Sequence, residues 1–380
     1  MASTDLMTQL HNPRPSGSTL EAFLVVRDPA QREDARVADD ISVSSESKSI
    51  NIISKEGDRQ YGFKFVLDQD RSHREIVDKA LNSHYSAAIP SVLERLLSGE
   101  NVSLLFLGSS TSQKRELFEK VVPLVCETLA GQLQAEGKRV SQNSASLRYI
   151  CAAQHIEIIE EIVQDLLKSD NRDLQIRTDP VKGVTVTGCT YGGPFTDIKE
   201  LVGVFKRGTA ARSSGQLDFG PSSQFASCIF SVDLTQIFTV QGQVPIIKKS
   251  RLQFCEIPST EILVAEGSGG QQLSLQLKRS LVQFKNVIKS LSSGGDAADY
   301  ANYDSSKLMQ LLKDSLGGNA HTVAFPCVVK GSAQESMETL GLSEEMQRIQ
   351  SYPVSQIQNV QGMSIKSEGE RASRNGSTCS

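Results

Sequence analysis

The sequence predicts an α/β protein in which a sheet is covered by helices on both faces, and three observations carry that expectation. Short apolar runs rich in Val, Ile, Leu and Phe alternate along the chain with stretches of helical period. No internal repeat and no interior linker breaks that alternation. The 380 residues, 38% hydrophobic and 22% charged, have ordinary globular composition and suffice for one large core. A single domain over residues 19–350 follows.

Residues 1–18 carry Pro13, Pro15 and Gly17 with little apolar content and read as a flexible N-terminus. Strands are expected at 22–26, 50–53 and 61–67, then a helix over 76–97. A strand at 102–107 runs through a Ser-rich turn into a helix over 114–133. Strands at 148–158 and 183–187 precede a helix over 196–205, and strands at 228–234 and 252–257 complete the predicted sheet. Helical period returns at 273–291, 306–316 and 335–349. Residues 351–380, rich in Ser, Gln and Gly, read as a flexible tail.

Two of these helices are informative in themselves. Over 273–291, Leu277, Leu281, Phe284, Ile288 and Leu291 share one face. Lys278, Lys285 and Lys289 flank that face, Arg279 lies opposite, and no acidic residue offsets them. Taken alone this is a solvated basic face as readily as a docking surface. Over 306–316, Leu308, Leu311, Leu312 and Leu316 form a buried stripe. Asp304 or Ser305 is placed to cap its start, and Gly317-Gly318 to end it.

Composition excludes several classes. With a net charge of −4, the molecule as a whole has no attraction to nucleic acid or anionic lipid. Seven cysteines, at 126, 151, 189, 228, 255, 327 and 379, show no CxxC and no ladder of spacings, against a disulfide framework or zinc site. No run approaches the roughly 20 apolar residues of a membrane span, and the N-terminus lacks the apolar segment of a signal peptide. An intracellular, reducing location is expected.

The stretch Ser306-Lys307-Leu308, Leu311-Leu312, Asp314-Ser315-Leu316-Gly317-Gly318-Asn319-Ala320 and Thr322 closely resembles the C-terminal signature of kinesin motor domains. Lys278-Arg279-Ser280-Leu281 with Val287-Ile288 resembles the relay helix of that family. Ile176-Arg177, Asp179-Pro180, Gly183-Val184 and Val186 resemble the strands before its third helix, with Arg207-Gly208 where that helix closes. Phe63-Lys64-Phe65, Leu97-Ser98-Gly99 and Asn101 match the approach to the phosphate loop. The resemblance spans about residues 20–350. It implies a P-loop NTPase fold with a central, mostly parallel, twisted sheet, and a protein that binds microtubules and hydrolyses ATP.

Each catalytic part that the resemblance implies is altered. A phosphate loop GxxxxGK[ST] wraps N–H groups and a Lys around phosphate and puts a hydroxyl on Mg²⁺. The matching stretch is Gly108-Ser109-Ser110-Thr111-Ser112-Gln113-Lys114-Arg115. Gly108 and Lys114 are in place, but Gln113 replaces the second glycine and Arg115 the metal-binding hydroxyl. Read without the resemblance, the stretch is an ordinary strand-to-helix turn. The first switch aligns with 219–226, where Ser222 and Ser223 survive while Gln224 replaces an arginine. The second aligns with 256–261: Glu256 keeps a charge, Ser259 replaces the γ-phosphate-sensing glycine after Pro258, and Glu261 has lost its arginine partner. On the adenine side, Val25-Val26-Arg27-Asp28 replaces Arg-x-Arg-Pro, with Pro29 one place late.

The resemblance therefore points to a non-motile module with negligible ATP hydrolysis. Weak ATP or ADP binding is left to Gly108 and Lys114, and Mg²⁺ is doubtful. Microtubules, or another cytoskeletal or centriolar protein, would be met through Lys278, Arg279, Lys285, Lys289 and Lys307, in the cytoplasm and on the cytoskeleton. Asp296, Asp299 and Asp304, in a loop with no basic residue, oppose that contact and make it weak and salt-sensitive. Two other readings stand beside it: a divergent but active microtubule-stimulated ATPase, and a structural or dimerisation domain.

Overall fold

The computed structural model describes residues 17–27, 41–44, 49–52, 58–67, 73–75, 78, 92–109, 111–168, 170–171, 174–179, 183–213, 226–260, 275–330 and 333–359. The strands are β1 (Ser18–Thr19), β2 (Glu21–Arg27), β3 (Ile41–Ser44), β4 (Ser49–Ile52), β5 (Arg59–Gly62) and β6 (Phe65–Leu67). After helix α1 (Val92–Leu97) come β7 (Val102–Gly108), α2 (Lys114–Ser141), β8 (Ala145–Ile159) and β9 (Ile162–Asp165). Then follow β10 (Gln175–Asp179), β11 (Gly183–Thr187), β12 (Gly192–Phe195), α3 (Lys199–Ser213), β13 (Ser227–Val240) and β14 (Ile246–Glu256). The last part holds α4 (Leu275–Ser293), α5 (Asp296–Asp299), α6 (Lys307–Leu312), β15 (His321–Val329), α7 (Ala333–Met346), β16 (Gln350–Ser351) and β17 (Gln356–Asn359).

The central sheet has the order β12-β8-β13-β14-β7-β15-β2-β6. From β14 to β6 every pairing is parallel, and from β12 to β14 every pairing is antiparallel. The α/β class and the helices on both faces are as the sequence leads one to expect. The sheet itself is mixed rather than mostly parallel, because the long β13–β14 hairpin and β8 make up half of it. The sequence records this division. All residues of β7 and β15 are buried, as parallel strands covered on both faces require. The first part of β8 instead alternates between exposed and half-buried positions.

One core lies between the sheet and α1, α2 and α3, with Phe23, Phe106, Phe230, Phe254 and Phe325 meeting Leu96, Phe118 and Phe205. The other face packs Leu105, Leu107, Ile229 and Ala324 against Phe284, Leu308, Leu312 and Leu340 of α4, α6 and α7. On α4 the stripe is Leu277, Leu281, Phe284, Val287 and Ile288, with Leu291 partly buried at its end.

Strand β15, in the interior of the sheet, is absent from the sequence-based expectation, as are β1, β3, β9, β12 and the strands after residue 349, while β10 is met only through the resemblance at Ile176-Arg177. Part of the expected helix over 76–97 lies outside the described residues, and α1 is its last segment. The tail expected from 351 is ordered at its start. Ser351 pairs with Ser18, and Gln356–Asn359 pair with Ile246–Lys249 of β14. Strand pairing among the described residues therefore continues to Asn359.

Candidate functional site

The parallel strands β7 and β14 end together, and their C-terminal ends carry the candidate phosphate site. Gly108 closes β7 at φ +146°, and a Cβ there would lie 2.5 Å from both the Cys327 carbonyl and the Ser112 hydroxyl. Only glycine fits. The chain turns through Ser109, Thr111 and Ser112, while Ser110 lies outside the described residues. Ser112 is fully buried and donates to the Ser109 carbonyl at 2.7 Å, and the Ser109 and Thr111 hydroxyls share a bond of 2.9 Å. The hydroxyls of Ser109, Thr111 and Ser112 thus bond within the loop.

Gln113 stands at the N-cap of α2 with φ 57° and ψ 24°, without a side-chain cap bond. Gln113, where a phosphate loop has its second glycine, thus holds a left-handed conformation, at a cost of about 1–2 kcal/mol for a residue with a Cβ. Lys114 is buried, and its Nζ donates to the Gly108 carbonyl at 2.6 Å and to Ser259 Oγ at 2.7 Å. Ser259 Oγ in turn donates to the same carbonyl at 3.0 Å. Arg115 runs along the helix surface towards Glu119 at 3.6 Å.

Beyond β14, Ile257 N–H donates to the Phe106 carbonyl at 2.9 Å, which fixes Pro258 and Ser259 against the loop. Glu256 is tied inward. Arg212, in the last turn of α3, donates from Nη1 to Glu256 and from Nε to Glu157, and from Nη2 to the Ala226 carbonyl at 3.4 Å. All three side chains are at most 7% exposed, so the guanidinium bridges two carboxylates out of water. Burial pushes the Glu157 carboxyl up from its ordinary range, opposed by the Arg212 charge.

Behind this cluster His155 is fully buried, stacked on Phe205 with ring centroids 5.2 Å apart, its Nε2 3.2 Å from Cys228 Sγ. Burial, and then the Arg212 charge, lower the His155 pKa to about 3, while burial raises the Cys228 thiol to about 12. Gly208 lies against this imidazole, and a Cβ there would fall 2.1 Å from Nδ1. The Gly208 noted in the sequence therefore has a packing cause.

Arg212, Glu157 and His155 are not among the residues that sequence reasoning singles out. One signal was available: Glu157 and Glu256 each sit inside an apolar strand run, and a carboxylate there requires a buried cation. Ser222, Ser223 and Gln224 of the first switch and Glu261 of the second lie outside the described residues. On the adenine side Arg27 Nη2 lies 3.0 Å from His73 Nε2, and Asp28 and Pro29 lie outside the described residues.

Among the described residues, the oxygen donors at the loop do not fit Mg²⁺. A divalent cation at a phosphate loop needs free oxygen ligands. Here the described loop hydroxyls are bonded within the loop, Glu256 is held by Arg212, and a cation, Arg115, occupies the place of the usual hydroxyl ligand.

The basic residues of the opposite face divide. Arg279 and Lys289 are exposed on α4, and Lys278 is half-buried. Lys285 is ion-paired with Glu338 of α7. Lys307 opens α6, its N–H donating to the Glu161 carboxylate at 2.6 Å while Ser306 Oγ accepts from Met309 N. An acidic residue from the β8–β9 turn therefore stands beside Lys307. Asp296, Asp299 and Asp304 are exposed.

The family model described as kinesin motor domain matches residues 25–349. Kinesin-like protein KIF7 of Mus musculus is 27% identical over 307 residues, covering 77% of this chain and 22% of that protein. Kinesin-like protein KIF27 of Rattus norvegicus is 25% identical over 313 residues, covering 78% of this chain and 22% of its own length. The chain thus spans about a fifth of these relatives. Among solved structures, a fast kinesin superposes with a TM-score of 0.73 at 19% identity, over 94% of this chain and 99% of the other. A KIF14 dimer in complex with a microtubule superposes at 0.68 with 20% identity, over 89% and 96%. At these identities the two structures speak for the fold.

Proposed function

The chain belongs to the kinesin motor domain family, and from that premise we propose that it is a microtubule-binding module that does not turn over ATP. One observation carries the proposal: the Lys114 ammonium is held by the Gly108 carbonyl and the Ser259 hydroxyl, inside the loop that it should open to phosphate. Phosphoryl transfer depends on positioned charge and metal, and loss of one such stabilising group costs about 10²- to 10³-fold in rate. Arg115 in place of the metal hydroxyl, Ser259 in place of a glycine and the capture of Glu256 by Arg212 act in the same direction. Nucleotide contact is reduced to weak ATP or ADP binding without seated Mg²⁺.

The partner face is carried by Arg279 and Lys289, which are exposed on α4, and it is weakened by the three exposed aspartates after that helix. The contact is therefore weak and screened by salt. Placement in the cytoplasm, on the cytoskeleton, follows from this partner. Phosphate release with and without microtubules tests the first half, and the expected result is no rise over background. Microtubule-stimulated turnover well above background would overturn it. Co-sedimentation at low and raised salt tests the second half, where recovery in the supernatant at both salt levels would leave only a spacer.

A further inference from the structure

Between α4 and α6 the chain forms a loop whose two ends are pinned at one place. Leu291 and Tyr303 both pack on the second core. A Cβ on Gly317 would lie 3.2 Å from Leu291 Cδ2 and 3.3 Å from the Tyr303 hydroxyl, so both residues stand at that glycine. Between these pins, from Ser292 to Asn302, no residue is buried. The N–H groups of Ala298, Tyr300 and Ala301 donate to the carbonyls of Gly295, Ala297 and Ala298 at 3.0, 3.2 and 3.1 Å, all inside the loop. Gly294 and Gly295 take positive φ with open space around them. A segment with no buried side chain and only local bonds opens at little cost to the rest of the fold.

One hydroxyl in this loop is free. Tyr300 is 79% exposed, more than any other tyrosine among the described residues, and its side chain has no partner among them. Its neighbours are all engaged. Ser292 and Ser293 donate to the Lys289 carbonyl at 3.0 and 2.8 Å, Ser305 to the Asn302 carbonyl at 2.6 Å, and Tyr303 to the Leu316 carbonyl at 2.5 Å. Asp296, Asp299 and Asp304 are exposed on either side of Tyr300, and no Lys or Arg lies between Lys289 and Lys307. An accessible phenol with acidic flanks complements an enzyme that grips its substrate with cations.

We propose that Tyr300 is a phosphorylation site for a protein tyrosine kinase with a basic substrate groove. The phenol oxygen attacks the γ-phosphorus of the ATP that the kinase holds. The bond from that phosphorus to the β,γ-bridging oxygen breaks, ADP leaves, and the phenol proton passes to the kinase's carboxylate base. The product adds about 1.5 to 2 negative charges at neutral pH. They are placed just beyond the end of α4, against which α5 packs and on whose last turns Lys289 is exposed. The consequence rests on the microtubule reading given above: a partner met by Arg279 and Lys289 is held less firmly once this charge stands beside them.

Incubation of the full chain with the catalytic domain of such a kinase and Mg·ATP, followed by peptide mass spectrometry, tests the site. Near-complete label on Tyr300 is expected, and Tyr300→Phe should lose it. Asp296→Asn combined with Asp299→Asn should slow the labelling several-fold, as loss of complementary charge does. Circular dichroism melts establish that each variant is folded. An unlabelled Tyr300, faster labelling of Tyr303 or Tyr352, or an unchanged rate in the folded Asp296→Asn, Asp299→Asn variant overturns the proposal. Co-sedimentation with microtubules at low salt reads the consequence, and several-fold weaker recovery of the labelled chain is expected, with kinase-treated Tyr300→Phe unchanged. Equal recovery of labelled and unlabelled chain overturns the effect on the partner face. Failure of the unlabelled chain to sediment counts against the microtubule reading instead, and the mass spectrum then decides the site by itself.

Discussion

Lys114 donates to one backbone carbonyl and one hydroxyl, so its role in this chain is structural before it is chemical. Lys114→Met should therefore lower stability by about 1.5–3 kcal/mol, the range for hydrogen bonds to a charged group, read as a shift in the urea midpoint. An unchanged midpoint would show that the ammonium is not bound inward in solution. Arg212 carries more. Arg212→Ala leaves Glu157 and Glu256 buried without a cation and should cost about 3–5 kcal/mol. Arg212→Met combined with Glu157→Gln and Glu256→Gln should recover most of that loss, because no uncompensated charge remains. The phosphate-loop substitutions were legible in the sequence, since each lies in a fixed register of a short motif. The ion cluster was not, because Arg212, Glu157 and Glu256 meet only after α3 packs across β8 and β14. That meeting depends on packing across the sheet, which sequence spacing does not record.

Among the elements, α4 was read nearly to its ends because its apolar stripe keeps the helical period for five turns. Sequence alone treats its basic residues as one group, and the structure divides them. Lys285 meets Glu338 from α7, a helix that follows some fifty residues later, and so is less available to a partner than the exposed Arg279 and Lys289. Charge reversal at Arg279 and Lys289 together should weaken microtubule co-sedimentation several-fold and flatten its salt dependence. Lys285→Ala should change it little, and equal effects of the two variants would contradict this division. β15 was missed for a local reason. Pro326 offers no N–H and ordinarily argues against a central strand, yet it lies between β7 and β2 with every neighbour buried. The apolar run His321–Val329 was the better signal. β16 and β17 were missed because Gln- and Ser-rich segments have little β-propensity; their pairing is set by the strand edges that receive them.

At the scale of the whole molecule, the mixed sheet and its two cores sequester two histidines in neutral form. His155 lies in the first core beside Arg212 and Cys228. His321 opens β15, with Ser18 Oγ 3.2 Å from its Nδ1. Burial lowers both pKa values to about 3, assisted by Arg212 at His155 and by Arg95 and Lys64 at His321. The sign follows from linkage. As pH falls below about 6.5, these two sites take up protons in the unfolded chain that the folded chain refuses, with a smaller contribution of the same sign from His73, whose pKa is also lowered by burial, so stability declines on acidification until the folded values near 3 are reached. Glu157 acts in the opposite sense. Its raised pKa lets the folded state take up a proton before the unfolded one, which returns some stability over the carboxylate range. Two histidines outweigh one glutamate at the onset, because they titrate first on the way down. Urea midpoints measured from pH 7.5 to pH 5 should therefore fall steadily, by up to about 1.4 kcal/mol per pH unit for each histidine below pH 6.5. His321→Gln should roughly halve that slope, since it removes one of the two protons while keeping a polar side chain beside Ser18. A flat profile would mean that the imidazoles become charged inside the folded protein, and the packing of Phe205 and Gly208 against His155 would then have to open to admit a counter-ion.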